Sequence, residues 1–230
     1  MEENVRAIFQ ELVVRHPKLA VCEPAISLAL SALTTSFEAG GKLLVCGNGG
    51  SGADCEHIVG ELMKSFKCKR PVRAAFLDEA SRLYGSDQAG ILGEVLEGAL
   101  PAISLVSQSA LLTAFSNDKS PEYAFAQQVF GYGHPGDVLL AISTSGNSRN
   151  VVMAAKVARV LKMSVIALTG ERESLLSGVS DISITVPETE TFMVQELHLP
   201  VYHALCAALE ARFFDSSQAF ALDAAVRWRQ

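Results

Sequence analysis

The 230-residue sequence lacks several features that would place it in a specialised structural class. Its five cysteines include no CxxC pair, which is typical of reduced, mostly buried thiols rather than of a disulfide framework. It also contains no low-complexity tract and no internal repeat, so a repeat architecture is excluded. Because 49% of its residues are hydrophobic, extended disorder is excluded as well.

No cluster of basic residues stands out. The 19 lysines and arginines are outnumbered by 25 acidic residues, and the net charge of −6 is spread along the chain. We therefore expect no nucleic-acid partner, since non-specific nucleic-acid binding depends on a basic patch. The first ten residues are acidic and amphipathic, unlike a signal peptide, and no apolar run approaches the ~20 residues of a membrane helix. These absences predict a cytoplasmic protein that does not contact a membrane.

Five short apolar segments, each bounded by turn residues, predict buried strands. Their continuous apolarity is typical of parallel strands that are covered on both faces. Helical patterns alternate with these strands, so we predict an α/β fold with a doubly wound parallel sheet. The predicted strands are 42–46, 102–106, 138–142, 164–168 and 181–186, and the predicted helices are about 53–67, 121–132, 149–161 and 190–213.

Two further helices, at about 2–16 and 23–39, are predicted ahead of the first strand because apolar residues recur there at helical spacing. They could pack on their own sheet or offer a surface for self-association, and the pattern leaves both possibilities open. No linker divides the chain, so we predict a single domain, 1–230, that begins with a helical segment, 1–40.

Two segments have weaker patterns. The segment 71–98 is predicted to be irregular, with one short helical stretch at 91–96, and a loop of this length is usually functional or mobile. Apolar residues in 215–230 suggest a short packed helix.

Two polar loops each follow a predicted strand and precede a predicted helix. In the glycine loop, Cys46-Gly-Asn-Gly-Gly-Ser-Gly-Ala-Asp54, glycines allow a ligand to approach the free N–H groups of a helix N-terminus. This loop lacks the lysine of a P-loop and does not match GxGxxG. The hydroxyl loop, Ser143-Thr-Ser-Gly-Asn-Ser148, carries four hydroxyl groups, more than a helix cap requires. Because both loops follow strands, they predict a site for a small phosphorylated ligand at the carboxyl edge of the sheet.

Four residues on two predicted helices could bind a metal or transfer protons. His57 and Glu61 share one helix face, whereas Gln195 and His203 lie ~12 Å apart along an ideal helix. Joint binding of one ion would need their side chains to converge, helped by a bend that Pro200 permits. Imidazole, carboxylate and amide groups suit zinc, yet a His–Glu pair of this spacing is more often an ordinary surface pair. Glu61 and His203 also suit acid–base catalysis, and these residues alone do not decide between the two roles.

Taken in order, these motifs resemble the sugar isomerase (SIS) superfamily, in particular its phosphoheptose isomerase branch. The resemblance runs from the N-terminal helices to about Phe214. It rests on Gly47-Asn-Gly-Gly-Ser51 with His57 and Glu61, on Asn117-Asp118, on Gly136-Asp137-Val138, on Ser143–Ser148 and on Gln195-Glu-Leu-His-Leu-Pro-Val-Tyr-His203.

The resemblance implies a three-layer, five-stranded SIS fold that forms a homotetramer through its N-terminal helices, with active sites at subunit interfaces. It also implies the interconversion of sedoheptulose 7-phosphate and D-glycero-D-manno-heptose 7-phosphate through an enediol, with Glu61 and His203 as the acid–base pair. The implied zinc ligands are His57, Glu61, Gln195 and His203. The implied substrate and phosphate contacts are Asn48, Gly49, Ser51, Asp118, Ser143, Thr144, Ser145, Ser148 and Gln195.

Two features depart from the family pattern. About 28 extra residues, 71–98, intervene before the next strand, and Phe192 stands where family members often carry a polar residue. Some relatives with this fold are non-catalytic tetramers that bind a protein, including a replication-initiator-associating type, or sense a phosphosugar. Those protein-binding relatives lack the His–Glu pair, which this chain retains, so an isomerase is the leading hypothesis and a binding or sensing module is the alternative.

Overall fold

In the computed structural model, residues 3–214 are described. The helix that we predict within 215–230 lies outside the described residues. The described strands form one sheet in the order β2-β1-β3-β4-β5, and every neighbouring pair is parallel. The strands are β1 (Leu43–Cys46), β2 (Ala102–Ser104), β3 (Val138–Ile142), β4 (Ser164–Thr169) and β5 (Ile182–Thr185). The predicted five-stranded parallel sheet is confirmed, although β2 ends two residues before its predicted end.

Helices connect these strands. The α-helices are α1 (Glu3–Arg15), α2 (Glu23–Glu38), α3 (Gly50–Met63), α4 (Ala74–Tyr84), α5 (Ser86–Val95), α6 (Ser109–Asp118), α7 (Ala124–Tyr132), α8 (Arg149–Val160) and α9 (Thr191–Phe214). Short 3₁₀ turns lie at Pro17–Cys22, Pro121–Tyr123 and Ser177–Val179. The long helix α9 continues through Pro200.

The helices cover both faces of the sheet, which explains why the strands are apolar at every position. One core cluster joins alternate strand residues, such as Leu43 and Val45, to α1, α2, α3 and α9. A second cluster joins the intervening residues, such as Leu44 and Cys46, to α7 and α8. The predicted three-layer arrangement is therefore confirmed. Of the two N-terminal helices, α2 packs on the sheet, whereas α1 packs on α9.

The prediction of an irregular segment at 71–98 is wrong, although the short helical stretch predicted at 91–96 overlaps the end of α5. This segment forms a helical hairpin of α4 and α5, in which Leu77 of one helix packs against Gly93 of the other. Since the sequence analysis expects residues 71–98 to be an insertion, we call this pair of helices the inserted hairpin. Most of its side chains are exposed, and only Ala80 and Ala89 are buried. Apolar residues nevertheless recur at helical spacing in α4, at Phe76, Leu77, Ala80, Leu83 and Tyr84, a signal that our sequence analysis missed.

A buried ion pair closes the base of the inserted hairpin. Arg70 and Glu210 are 2% and 1% exposed, and Arg70 Nε donates to Glu210 at 2.7 Å. The Arg70 guanidinium also donates to the carbonyl oxygens of Leu62 and Glu61, both at 2.8 Å, so it caps the C-terminal end of α3. The chain returns alongside, because Gly98 N donates to the Arg70 carbonyl at 2.8 Å.

One helical stretch among the described residues, Pro17–Glu38, is long and apolar enough to cross a membrane by length and composition. We did not expect such a stretch from the sequence. In the most apolar 18 residues of this stretch, 44% of the segment is buried inside the protein, and Ile26 and Leu33 of the stretch belong to the core. This is weak evidence for a membrane, since core helices of soluble proteins pass the same test.

The cysteines agree with their predicted reduced state. Cys22, Cys46, Cys55 and Cys206 are free thiols, and all four are buried. Burial raises the pKa of the Cys22 thiol to about 11 and those of Cys46 and Cys206 to about 12, so these three groups remain protonated and unreactive at neutral pH.

Candidate active site

The glycine loop and the hydroxyl loop lie side by side because they follow adjacent strands. β1 pairs with β3, and Cys46 at the end of one strand is opposite Ala141 near the end of the other. The strand order reverses here, since β2 lies on one side of β1 and β3 on the other. Such a switch point at the carboxyl edge of a parallel sheet forms a crevice in which ligands bind.

The glycine loop depends on two of its glycines. Gly49 has a φ of +54°, a left-handed conformation that an L side chain rarely adopts, and α3 begins directly after it. A Cβ atom at Gly50 would clash with the side-chain amide of Gln195, which packs directly on the loop. Ser51, in the first turn of α3, is buried. The loop thus places helix N–H groups and the Gln195 amide at the crevice.

The hydroxyl loop presents its oxygens at different depths. Ser143 is buried and its Oγ lies 3.0 Å from Ser148 Oγ, whereas Thr144 is half-buried and Ser145 is exposed. Ser145 Oγ accepts from the Asn147 N–H at 3.2 Å, which tightens the turn. α8 begins at Arg149, immediately after the loop. Hydroxyl groups beside a helix N-terminus suit a phosphate group.

A reciprocal amide pair ties the two loops together. Asn48 Nδ2 donates to Asn150 Oδ1 at 2.9 Å, and Asn150 Nδ2 donates back to Asn48 Oδ1 at 2.8 Å. Our sequence analysis placed Asn48 in the site and missed Asn150, whose only signal is its position in the first turn of the helix after the hydroxyl loop.

The acid–base candidates come together where α3 lies against α9. His57 Nε2 is 3.2 Å from Glu61 Oε1, and the ring centroid of His203 is 5.0 Å from that of His57. Glu61 Oε2 and His203 Nε2 are both buried and have no hydrogen-bond partner among the described residues. Leaving such a group unpaired costs about 1–3 kcal/mol, so these two atoms are suited to meeting a ligand. Burial, followed by the nearby His57, lowers the pKa of His203, which favours its neutral form.

His57 is linked through the buried Tyr202 to the half-buried Asp54. Tyr202, only 1% exposed, has its Oη 3.0 Å from His57 Nδ1 and donates to Asp54 Oδ1 at 3.1 Å. Burial raises the pKa of the Asp54 carboxyl group, and burial together with Asp54 raises the pKa of Tyr202. We did not single out either residue from the sequence. The available signals were that Asp54 precedes His57 by one helical turn and that Tyr202 precedes His203.

The predicted site residues fall into three groups. His57, Glu61 and His203 meet at the junction of α3 and α9. Gln195 lies about two helical turns before His203 on α9, and its side chain packs against Gly50 at the N-terminal end of α3. Asp118 ends α6 and accepts from the Asn117 side chain at 2.9 Å, and no hydrogen bond within residues 3–214 joins it to either loop. The hydroxyl-loop residues and Ser51 lie at the crevice.

The donor chemistry at this junction fits a divalent metal. Two imidazoles and a carboxylate are adjacent, and two of their atoms lack partners among the described residues. Within residues 3–214, however, no three His, Cys, Asp or Glu side chains are already arranged around one point as a metal site. Binding an ion here would therefore require side-chain adjustment.

Comparison with known proteins identifies the family of the chain. The family model described as "SIS domain" matches residues 21–93 and 86–170. The phosphoheptose isomerase of Rhodospirillum rubrum is 38% identical over 210 residues, which cover 91% of this chain and 97% of that protein. The phosphoheptose isomerase of Shewanella baltica is 34% identical over 222 residues, or 95% and 99% of the two chains.

Solved structures give the same result. The phosphoheptose isomerase of Neisseria gonorrhoeae superposes with a TM-score of 0.69 at 30% identity, covering 91% of this chain and 98% of that one. That of Francisella tularensis gives 0.69 at 32% identity, covering 89% and 95%. The fold and the two loops define an SIS-domain protein. Among SIS-domain proteins, the chain belongs to the phosphoheptose isomerase family.

Proposed function

We propose that this protein is an aldose–ketose isomerase that interconverts sedoheptulose 7-phosphate and D-glycero-D-manno-heptose 7-phosphate. The observation that carries the proposal is the pair of buried groups without partners among the described residues, Glu61 Oε2 and His203 Nε2, in a chain that also carries a hydroxyl-rich loop. Glu61 lies in the last turn of α3, ~16 Å along the helix from its start beside the glycine loop. The similarity to phosphoheptose isomerases supports the same substrate.

The hydroxyl loop and Ser51 would hold the phosphate group. Ser143, Thr144, Ser145 and Ser148 offer hydroxyl groups, and the first turn of α8 offers backbone N–H groups. Neutral donors can bind a dianion without adding a fixed positive charge. Asn48, Gly49, Gln195 and Asp118 are the proposed contacts of the sugar chain.

Glu61 and His203 would transfer the protons. Conversion of the ketose to the enediol removes a proton from C1 and adds one to the C2 carbonyl oxygen. Collapse to the aldose removes the proton from the O1 hydroxyl and adds one to C2, so no net proton is consumed. A carboxylate and a neutral imidazole can each accept a proton and return it, and the lowered pKa of His203 keeps its ring ready to accept one.

A divalent metal, which we propose to be zinc, would be held by His57, Glu61 and His203, and by Gln195 if its side chain turned from Gly50 towards them. When bound, it would act as a Lewis acid on the oxygens of the substrate and stabilise the negative charge of the enediolate. Glu61 can serve both roles because its two oxygens differ: Oε1 faces His57, whereas Oε2 is unpartnered among the described residues.

The test is turnover of sedoheptulose 7-phosphate by the purified protein in the presence of zinc, with formation of the aldose followed directly. Glu61→Gln keeps the size of the side chain but removes the base, and we expect it to lower kcat by at least about 100-fold. Glu94→Gln, an exposed position on α5, is the matched control and should leave the rate unchanged. A wild type without turnover, or an active Glu61→Gln variant, would refute the proposed activity.

We further propose a cytoplasmic homotetramer assembled through the N-terminal helices, with active sites at subunit interfaces. Val14, Val21 and Leu28, at the N-terminal end of the chain, are 78%, 71% and 60% exposed. Apolar side chains this exposed are suited to contact another subunit. Light scattering after size-exclusion chromatography measures the assembly, and a monomeric mass at micromolar concentration would contradict it.

A further inference from the structure

The chain of polar contacts from Asp54 through the buried Tyr202 to His57 constrains where its protons lie. A carboxylate only accepts hydrogen bonds, so the single proton of the Tyr202 hydroxyl is donated to Asp54 Oδ1, 3.1 Å away. The hydroxyl oxygen can then only accept from His57 Nδ1, 3.0 Å away on its other side. Nδ1 of His57 must therefore carry the hydrogen.

This placement of the proton determines the chemistry of the opposite ring nitrogen. When a neutral imidazole is protonated at Nδ1, its Nε2 carries a lone pair. His57 Nε2 lies 3.2 Å from Glu61 Oε1, so two electron-rich atoms face each other. Two ligands bound to one zinc ion at about 2.0–2.1 Å in tetrahedral geometry are about 3.3 Å apart, which is close to the separation seen here.

We propose that Tyr202 and Asp54 are positioning residues, which hold His57 in the Nδ1-protonated tautomer and thereby present its Nε2 lone pair to a divalent metal. The inference deepens the proposed function, on whose metal site it rests. Tyr202 is suited to this task because it is fixed by packing. It is buried in the core cluster, and its ring meets the rings of both His57 and His203 edge-on, with centroids 5.5 and 5.0 Å away.

Two substitutions separate the hydrogen bonds from the packing. Tyr202→Phe removes only the hydroxyl group, so His57 Nδ1 loses its acceptor while the aromatic contacts remain. Asp54→Asn offers an amide that can donate to the Tyr202 oxygen. The hydroxyl proton is then free to turn towards His57 Nδ1, which would invert the tautomer. Tyr132→Phe, on the distant helix α7, is the matched control.

The first measurement is the tautomer of His57 in metal-free protein labelled with ¹⁵N-histidine, at a pH at which the ring is neutral. Protonated and lone-pair ring nitrogens give separate signals, and His57→Gln assigns them. We expect the wild type and Tyr132→Phe to be protonated at Nδ1, Asp54→Asn to shift towards Nε2, and Tyr202→Phe to be a mixture. A wild-type ring protonated at Nε2, or a tautomer unchanged in both variants, would overturn the inference.

The second measurement is zinc affinity, obtained by competition with a chromogenic chelator and without substrate. Loss of an outer partner of a metal-binding histidine typically costs 10- to 100-fold in affinity, and we expect this loss in Tyr202→Phe and Asp54→Asn but not in Tyr132→Phe. Unchanged affinity in both variants would contradict the proposal. If the wild type bound no zinc, the metal part of the proposed function would fail, and the tautomer measurement would still decide whether Tyr202 and Asp54 control His57.

Discussion

Removal of the Glu210 carboxylate should destabilise the fold more than most single substitutions. Its two oxygens accept four hydrogen bonds, from the backbone N–H groups of residues 66, 67 and 68 at 2.8, 2.7 and 3.2 Å and from Arg70 Nε at 2.7 Å. Glu210→Ala would leave the Arg70 charge buried without its carboxylate and would deprive three amides of their acceptor.

The magnitude follows from these contacts. Breaking a buried ion pair by removing one partner costs about 3–5 kcal/mol. We therefore expect a loss of about 4 kcal/mol in the free energy of unfolding, which is roughly a thousandfold in the folding equilibrium. At an ordinary buried ion pair, replacing both partners with apolar residues often restores the stability of the protein. Here Arg70→Met/Glu210→Leu should stay destabilised, because the amides of 66–68 and the carbonyls of Glu61 and Leu62 would lose their partners.

Urea denaturation gives the midpoints and slopes for the wild type, Glu210→Ala and the double variant. Glu79→Ala, which removes one partner of the fully exposed Glu79–Arg82 pair, is the control and should leave the midpoint unchanged. A loss below about 1 kcal/mol in Glu210→Ala, or full recovery in the double variant, would refute the argument that Glu210 organises the backbone as well as pairing with Arg70.

Three further predictions follow from other parts of the molecule. Burial lowers the pKa of His198 to about 4 from an ordinary value near 6.5, so the unfolded chain binds a proton that the folded chain does not. Stability should be complete above about pH 6.5 and fall by roughly 3 kcal/mol towards pH 4, and urea midpoints should show a flatter profile for His198→Leu. Asn150→Ala breaks both hydrogen bonds between the loops, so KM for the sugar phosphate should rise about tenfold with little change in kcat; the reverse pattern would argue against a binding role. Leu28→Asp places a charge on the exposed face of α2 and should lower the mass measured by light scattering, and an unchanged tetramer would place the interface elsewhere.

Much of the fold was predictable because the strands are buried on both faces. Segments such as 138–142 and 164–168 are apolar at nearly every position, and the structure confirms both as strands. Two helical regions were not recognised. α6 has no buried residue, and the inserted hairpin buries one alanine in each helix, so neither belongs to the main core. In the hairpin only 91–96 was predicted to be helical, although the apolar residues of α4 also recur at helical spacing and its helix could have been inferred from them.

The site was predictable to the extent that its residues stand in short motifs. His57, Glu61 and His203 were identified in this way, and the structure brings the three together. Other contacts that shape the site and its surroundings join residues that are far apart in the sequence. Arg70 meets Glu210 across 140 positions and Asn48 meets Asn150 across 102, and local periodicity carries no information about such pairs.

The hydrogen bond from Gly98 N to the Arg70 carbonyl joins the two ends of the inserted hairpin. The two ends of the inserted hairpin are therefore neighbours in space. The number of residues between them does not change the distance between the end of α3 and the start of β2. A tight turn could replace the hairpin, or a larger module could be grafted there, without pulling on α3 or β2. The position is therefore a natural attachment point for engineering, separate in its backbone connections from the loops at the carboxyl ends of β1 and β3.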